Sequence, residues 1–421
     1  MKRNTFIKFL MSVALVCTHT TLMYSQQAFG KDNLAVLVAA IDENNTTVSV
    51  VEVNKTDADQ TAVQTISIPG SGENAIRVSG SAGTTLYAAN SADGTLFCFT
   101  GHKTEDASKN ANRTLERAVI ALGYDGTYAI KAEYTGVSRQ QTRCATTFDN
   151  INFYIADQEG QYTNDAVEPS PAVNIRGIKI FGETVYVGQQ SKKDVPLAPV
   201  ATTSAITGGV ITDLPLPDNM EHDSVANDFY MVSSGANGNK YDVLYIVGSF
   251  AYDNGSIRKY SLVNDGWNYN GVYLTDFGGA RLSAERAETG AYLYLTTGHG
   301  GTADNQLIKL VDVAGHNATI DIDLTQKVTL FSAPSGAVLK GVAFAPKSLS
   351  SGVNSPVVAG DFKFVNNKMI FGRMPSSPVE VFAITGAKMI TYKPAEMIEV
   401  NLPKGIYIVR TSGTTAKIIV K

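Results

Sequence analysis

The stretch Asn174 to Gly188 constrains the fold more than any other. Ile178 and Ile180 alternate with Lys179, and Val185 and Val187 alternate with Tyr186. Successive side chains of a strand point to opposite faces, so this pattern predicts two half-buried strands. Phe181-Gly182-Glu183 lies between them, and glycine admits the positive φ of a tight turn. The same unit recurs at Arg77 to Ala89, Arg143 to Ala156 and Arg281 to Thr296. Each copy has a basic residue, a β-prone run, a turn, then an aliphatic-Tyr pair in a second run. A hairpin repeated at intervals of tens of residues predicts a β-propeller or a β-solenoid.

Taken in order, the runs Leu34 to Ile41, Thr47 to Val53 and Val63 to Ile68 make most of a blade but lack an opening basic strand. A second unit starts at Ile76-Arg77 and runs to Tyr134, with a polar insertion over Gly101 to Asn112. Others cover Arg143 to Val173, Arg176 to Leu216, Val225 to Leu274 and Arg281 to Phe331. Within the fourth, the Pro- and Thr-rich stretch Asp194 to Thr207 is expected to be a loop. Lys340 to Ala345 is then an opening strand with no blade after it, because Ser348 to Pro356 is Ser/Pro/Gly linker. Joining the two leftovers removes the exposed edges of an open sheet. The expected fold is all-β: a propeller over 26–346, closed by its N- and C-terminal strands. Six blades are counted, and seven if the long fifth or sixth unit hides another. A linker over 347–356 and a small β-sandwich over 357–421 follow.

Residues 1–25 have the layout of a signal peptide. Lys2, Arg3 and Lys8 precede the apolar run Phe9 to Cys17, which is too short to span a bilayer, and cleavage is expected after Ser25. Cys17 follows Val16, which is larger than the residue that a lipoprotein cysteine follows. Charge is uneven. The net charge is −4; loss of the three cations of 1–25 leaves −7. The tail from Val357 has nine Lys or Arg against four acids, which puts −12 on 26–356. Such an acidic body argues against nucleic acid as a partner and keeps an exported chain soluble. Cys98 and Cys144 are expected on different strands of neighbouring blades, one inner and one outer. A disulfide would need their Cα atoms within ~7 Å, and the sequence leaves it open.

Two resemblances follow from particular residues. Residues 75–346 resemble a family of secreted bacterial propeller proteins of unknown function. The likeness is carried by Arg143 with Phe153-Tyr154, Asn174-Ile175-Arg176 with Val185-Tyr186, Leu244-Tyr245-Ile246, Ser256 to Tyr260, Gly266-Trp267, Leu293 to Thr297, and the closing Lys340 to Pro346. That family usually has Arg where this chain has Lys340, and it implies no catalytic residue. Residues 357–421 look like the C-terminal sorting domain of type IX secretion substrates from Bacteroidetes. Here the carriers are Val379 to Phe382 with Thr385 to Lys388, Asn401 to Arg410, and the ending Ala416 to Lys421. This resemblance implies export across the outer membrane through the secretion machinery, with the protein then released or held at the cell surface. A plain adhesive β-domain would show the same strand pattern.

Five cations have a spatial argument. Arg77, Arg143, Arg176, Arg281 and Lys340 each precede an expected inner strand, and equivalent positions of successive blades fall on one ring. Such a ring at the channel mouth binds a carboxylate or phosphate, or pairs with acids of adjacent blades. His102, His222, His299 and His316 lack metal-ligand spacing, so no metal or cofactor is expected. His299, in Thr297 to Gly301, is either a general base or an ordinary turn residue. Asp253-Asn254-Gly255 and Asn264-Asp265-Gly266 are hairpin-turn signals, with calcium as their alternative. Asp223-Ser224-Val225 resembles the short O-glycosylation site of Bacteroidetes. The leading expectation is a non-catalytic secreted or surface propeller that binds an extracellular glycan, peptide or other ligand, with no membrane span in the mature chain. The alternative is a secreted polysaccharide lyase or hydrolase working at the channel mouth.

Overall fold

The computed structural model describes residues 27–420 apart from 190–197, 218–224, 250–253, 349–356, 360–361, 366, 372–373, 384–385, 404 and 412–414. The expected signal peptide, His222, the Asp223-Ser224 pair, Asp253 and nearly all of the linker lie outside the described residues. The chain divides into two compact units, Met1–Pro346 and Lys347–Lys421. It is all-β and is built from repeated antiparallel sheets, most of them four-stranded.

The first unit holds six sheets among the described residues. The first contains Leu34–Ala40, Val48–Val53 and Gln64–Ser67, and Ala337–Phe344 pairs antiparallel with Leu34–Ala40 from the far end of the unit. The second has Phe97–Lys103, Glu116–Leu122 and Tyr128–Thr135. The third is the short meander Thr142–Thr147, Phe153–Asp157 and Gln161–Tyr162. The fourth runs Ile175–Phe181, Thr184–Gln189, Val200–Thr203 and Ile211–Asp213. The fifth is Val225–Val232, Val243–Ser249, Gly255–Val263 and Gly266–Thr275, and the sixth Arg281–Arg286, Ala291–Thr296, Gln306–Asp312 and Val328–Ser332. First strands pack on first strands. Thr142–Thr147 lies against Ile175–Phe181, that against Val225–Val232, that against Arg281–Arg286, and that against Ala337–Phe344.

Local chemistry explains these elements. Leu34, Ala35, Val36 and Leu37 are all buried, as a strand covered on both faces requires. At the fifth sheet's last hairpin, Asn264 and Asp265 take φ of 50° and 62°, the left-handed pair of a two-residue turn. Buried ion pairs tie sheets together. Arg117 pairs with Asp157, Lys179 with Asp228 at 2.7 Å, and Lys259 with Asp312 at 2.8 Å.

Three sequence expectations are corrected. Asp194 to Thr207 is not all loop: Val200–Thr203 is a strand, because Val200 and Ala201 are fully buried against Thr184–Gln189. The polar insertion starts later than Gly101, since Phe97–Lys103 continues far enough to pair His102 with Arg117. The copy at Arg77 to Ala89 is not a hairpin. Only Ile76–Arg77 and Ala89–Asn90 pair with Phe97–Lys103, at its two ends. Between them the chain leaves its own sheet for the third. The Tyr87 amide donates to the Arg143 carbonyl at 2.9 Å, and Thr85 Oγ1 to the Thr142 carbonyl at 2.8 Å.

The second unit contains two four-stranded antiparallel sheets. Phe362, Met369 and Ile398 from one, and Val381, Tyr407 and Val409 from the other, share one core. That is a small sandwich. Tyr407 Oη donates to the Pro403 carbonyl at 2.8 Å, which ties the Leu402-Pro403 turn to the strand Gly405–Arg410.

Candidate functional site

Four of the five singled-out cations come together, and three of them are carried on a break in strand alternation. Thr142 faces Asp157 and Cys144 faces Ala156, so Arg143 is one residue too many. Arg176-Gly177 stands opposite Gly188 alone, and Lys340-Gly341 opposite Leu37 alone. Asn227 is the extra residue at the same place in the fifth sheet. A bulge re-aims the side chain it carries. Arg281 opens the first strand of the sixth sheet without one.

All four cations are buried: Arg143 is 3% exposed, Arg176 6%, Arg281 1% and Lys340 0%. Their acceptors are carbonyls and amides. Arg143 Nη1 donates to Asn174 Oδ1 and, at 2.9 Å, to the Ile175 carbonyl, where the next first strand begins. Arg176 Nη1 donates to the Ala226 carbonyl at 3.1 Å and to Asn227 Oδ1 at 3.2 Å. Asn227 in turn donates to the Gly279 carbonyl at 2.7 Å. Arg281 reaches the carbonyls of Ala280, Gly83 and Thr85. The Lys340 amine holds those of Ala82, at 2.8 Å, and Gly300, at 2.5 Å. Among the described residues no carboxylate forms an ion pair with any of them. Pairing with acids of neighbouring sheets, the alternative left open by the sequence, is thus not what holds them there.

Tyr87 completes the cluster. Its ring lies under the Arg281 guanidinium at 3.6 Å, a stacked cation–π contact. A Cβ on Gly177, beside Arg176, would sit 3.7 Å from the same ring. Electrostatics follow from burial. Burial, with Arg281 beside it, holds the Lys340 amine well below its usual range. Arg143 falls to about 10 through burial, Arg176 and Arg281 adding to the shift and Tyr87 and Asp157 opposing it. Arg176 is lowered by burial as well, with Tyr87 opposing and Arg281 reinforcing.

Arg77 does not join them. It is half-buried on Ile76–Arg77, with Nη1 donating to Asn45 Oδ1 at 3.3 Å. Its expected place is taken by the Thr84 to Ala88 segment. Tyr87 and Asn227 escape the sequence reading, although Val225-Ala226-Asn227 opens its sheet at the offset of the other first strands. The signal for the bulges was available as well. Arg176-Gly177 and Lys340-Gly341 each put two residues where alternation requires one.

The remaining candidates are ordinary. His299 Nδ1 accepts from the Gly301 amide at 3.0 Å, in the turn whose Gly300 carbonyl holds Lys340. Among the described residues no cluster of His, Cys, Asp or Glu has the make-up of a metal site. Cys98 and Cys144 are buried free thiols, and burial pushes the Cys144 thiol up to about 11. Cys98 lies on Phe97–Lys103, the strand next to its sheet's inner edge rather than an outer one. The groove lined by Val38, Val51, Ala62 and Phe331 touches none of the five cations.

No family model matches the chain, and no curated protein matches it. Solved structures do. A proposed 6-phosphogluconolactonase of Bacteroides uniformis is 11% identical, over 76% of this chain and 88% of that one, with a TM-score of 0.40. One from Bacteroides fragilis is 12% identical over 75% and 98%, with a TM-score of 0.41. The extracellular domain of a proposed hybrid two-component system protein of B. thetaiotaomicron is 12% identical over 93% of this chain and 51% of that one, with a TM-score of 0.38. Scores this low add nothing to what the strand order itself establishes.

Proposed function

We propose that residues 26–346 form a closed six-bladed β-propeller that binds an extracellular ligand without turning it over, at the end where Arg143, Arg176, Arg281 and Lys340 gather. The observation that carries this reading is a buried cation cluster anchored by backbone carbonyls and Asn side chains, in which no carboxylate of the described residues forms an ion pair with the cations. The pairing of Ala337–Phe344 with Leu34–Ala40, and the packing of first strand on first strand, support closure. An acidic body supports an extracellular partner other than nucleic acid. The array of choice presents glycans and peptides to the full chain. Saturable binding without product formation is the expected result; conversion of a bound polysaccharide or peptide would replace this reading with the lyase or hydrolase, which the cations would serve by neutralising an acidic glycan, with His299 beside the Gly300 carbonyl that holds Lys340.

Export is the second part of the proposal. Residues 1–25 act as the signal peptide, and 357–421 as the sorting domain that the type IX machinery of the outer membrane recognises, so the protein ends secreted or at the cell surface. Among the described residues no helix is long and apolar enough to cross a membrane. Deleting Val357 to Lys421 is expected to trap a folded first unit in the periplasm, read by fractionation and immunoblot. Truncated protein in the medium would refute the sorting role.

A further inference from the structure

The polar atoms that the cluster leaves unused identify the chemistry it takes. Arg143 Nε, Arg176 Nε and Arg281 Nε are buried and make no hydrogen bond; Tyr87 Oη is buried too and makes none of ordinary geometry, although it lies near enough to the Arg176 guanidinium to favour its charge. Tyr87 is fully buried, and each of the three arginines is more than nine-tenths so. Buried donors are normally satisfied, and leaving several open in one place has a cost that a ligand removes. Among the described residues no acid forms an ion pair with the cluster, although the Asp157 charge acts on Arg143 from a distance. Asp157 is held by Arg117 and by Tyr134 Oη at 2.9 Å. Asp228 is held by Lys179 and by the Leu282 amide at 3.0 Å. Three guanidiniums and an amine therefore stand together with no carboxylate of the described residues in contact with them.

We propose that this cluster is a site for the anionic group of a small ligand, an oxyanion of the carboxylate, phosphate or sulfate class, held by Arg143, Arg176, Arg281 and Lys340 with the Tyr87 hydroxyl. The inference rests on the ligand-binding reading above and narrows it to a ligand with a negatively charged group. Guanidinium N–H groups suit such oxyanions because they donate in parallel pairs. Lys340 adds a compact cationic head, whose charge a bound anion would favour against burial and the Arg281 charge beside it. Arg77 has no part in the site.

The test uses the full chain at constant ionic strength in a low-chloride buffer. Sodium phosphate, sulfate and acetate are titrated in separate arms and followed by thermal unfolding and calorimetry. A ligand that binds only the folded state raises Tm saturably. Saturation is expected in at least one arm, and which arm responds separates a tetrahedral oxyanion from a carboxylate. Arg143→Gln and Arg176→Gln are expected to weaken the responding anion at least tenfold, and Arg77→Gln to leave it unchanged. No saturable response in the parent, or an equal response in all three variants, overturns the proposal. Should the variants misfold, the parent alone decides: crystals soaked in selenate, or in bromoacetate where only acetate responds, should show an anomalous peak beside Tyr87 Oη, and no peak there refutes the site. Retention of a neutral glycan by Arg176→Gln would overturn the anion assignment while leaving the binding reading intact. An empty array with saturable phosphate binding would do the reverse.

Discussion

Lys340 shows what burial does to a single residue. Its amine is enclosed beside Arg281, so the folded chain holds that proton less tightly than the unfolded chain does. Between the lowered folded-state pKa and the ordinary 10.5, the unfolded state binds more protons, and stability rises with pH through that window. The slope from one such group is at most about 1.4 kcal/mol per pH unit. Lys340→Met lacks it. Urea midpoints of parent and variant in low-chloride buffer at pH 7 and pH 9.5 should therefore differ by an amount that moves in the parent's favour at the higher pH. A gap that ignores pH would mean an ordinary lysine. That Lys340 opens a strand was legible in Lys340 to Ala345; that it faces Arg281 was not, because the two lie in different sheets.

At the scale of the strand, the bulges set the site. Gly341 follows Lys340 within one of them, and a Cβ there would fall 2.7 Å from the Ala88 amide nitrogen and 2.8 Å from the Leu86 carbonyl oxygen. Both are backbone atoms of the segment that delivers Tyr87. Gly341→Ala is expected to cost about 1–3 kcal/mol, the range of overpacked sites. It should also displace Tyr87 from under Arg281. Denaturant unfolding gives the first, and loss of the anion response the second; a variant as stable as the parent would show that the segment has room to yield. Hairpins were readable because Ile178, Ile180, Val185 and Val187 keep strict alternation. The broken strand after Arg77 was not, since its cause is an attraction to Thr142 and Arg143 in another sheet.

At the scale of the molecule, the first unit depends on a strand from its far end. Val338, Leu339 and Val342 are at most 1% exposed, and burying each such side chain contributes about 1.5–3 kcal/mol. Together with the ladder to Leu34–Ala40, they rival the ~5–15 kcal/mol stability of a domain. Truncation at Ser335 is expected to expose two sheet edges and cause aggregation, whereas truncation at Ser350 should leave a soluble monomer. Light scattering and melting of the two products decide it, and identical behaviour would remove the closure proposal.

The sequence by itself determined most of the strands and hairpins, though not the strand Val200–Thr203 or the break after Arg77, and that Lys340 to Ala345 needs a partner strand. Alternation and turn residues are local, and each acts within a few positions of the chain. Only the tertiary structure decided that Arg143, Arg176, Arg281 and Lys340 share a cluster, that Arg77 stands apart, and that Tyr87 and Asn227 belong with them. Those outcomes depend on register between paired strands and on packing between sheets. A one-residue bulge changes where a side chain points, while the composition of its strand stays almost the same.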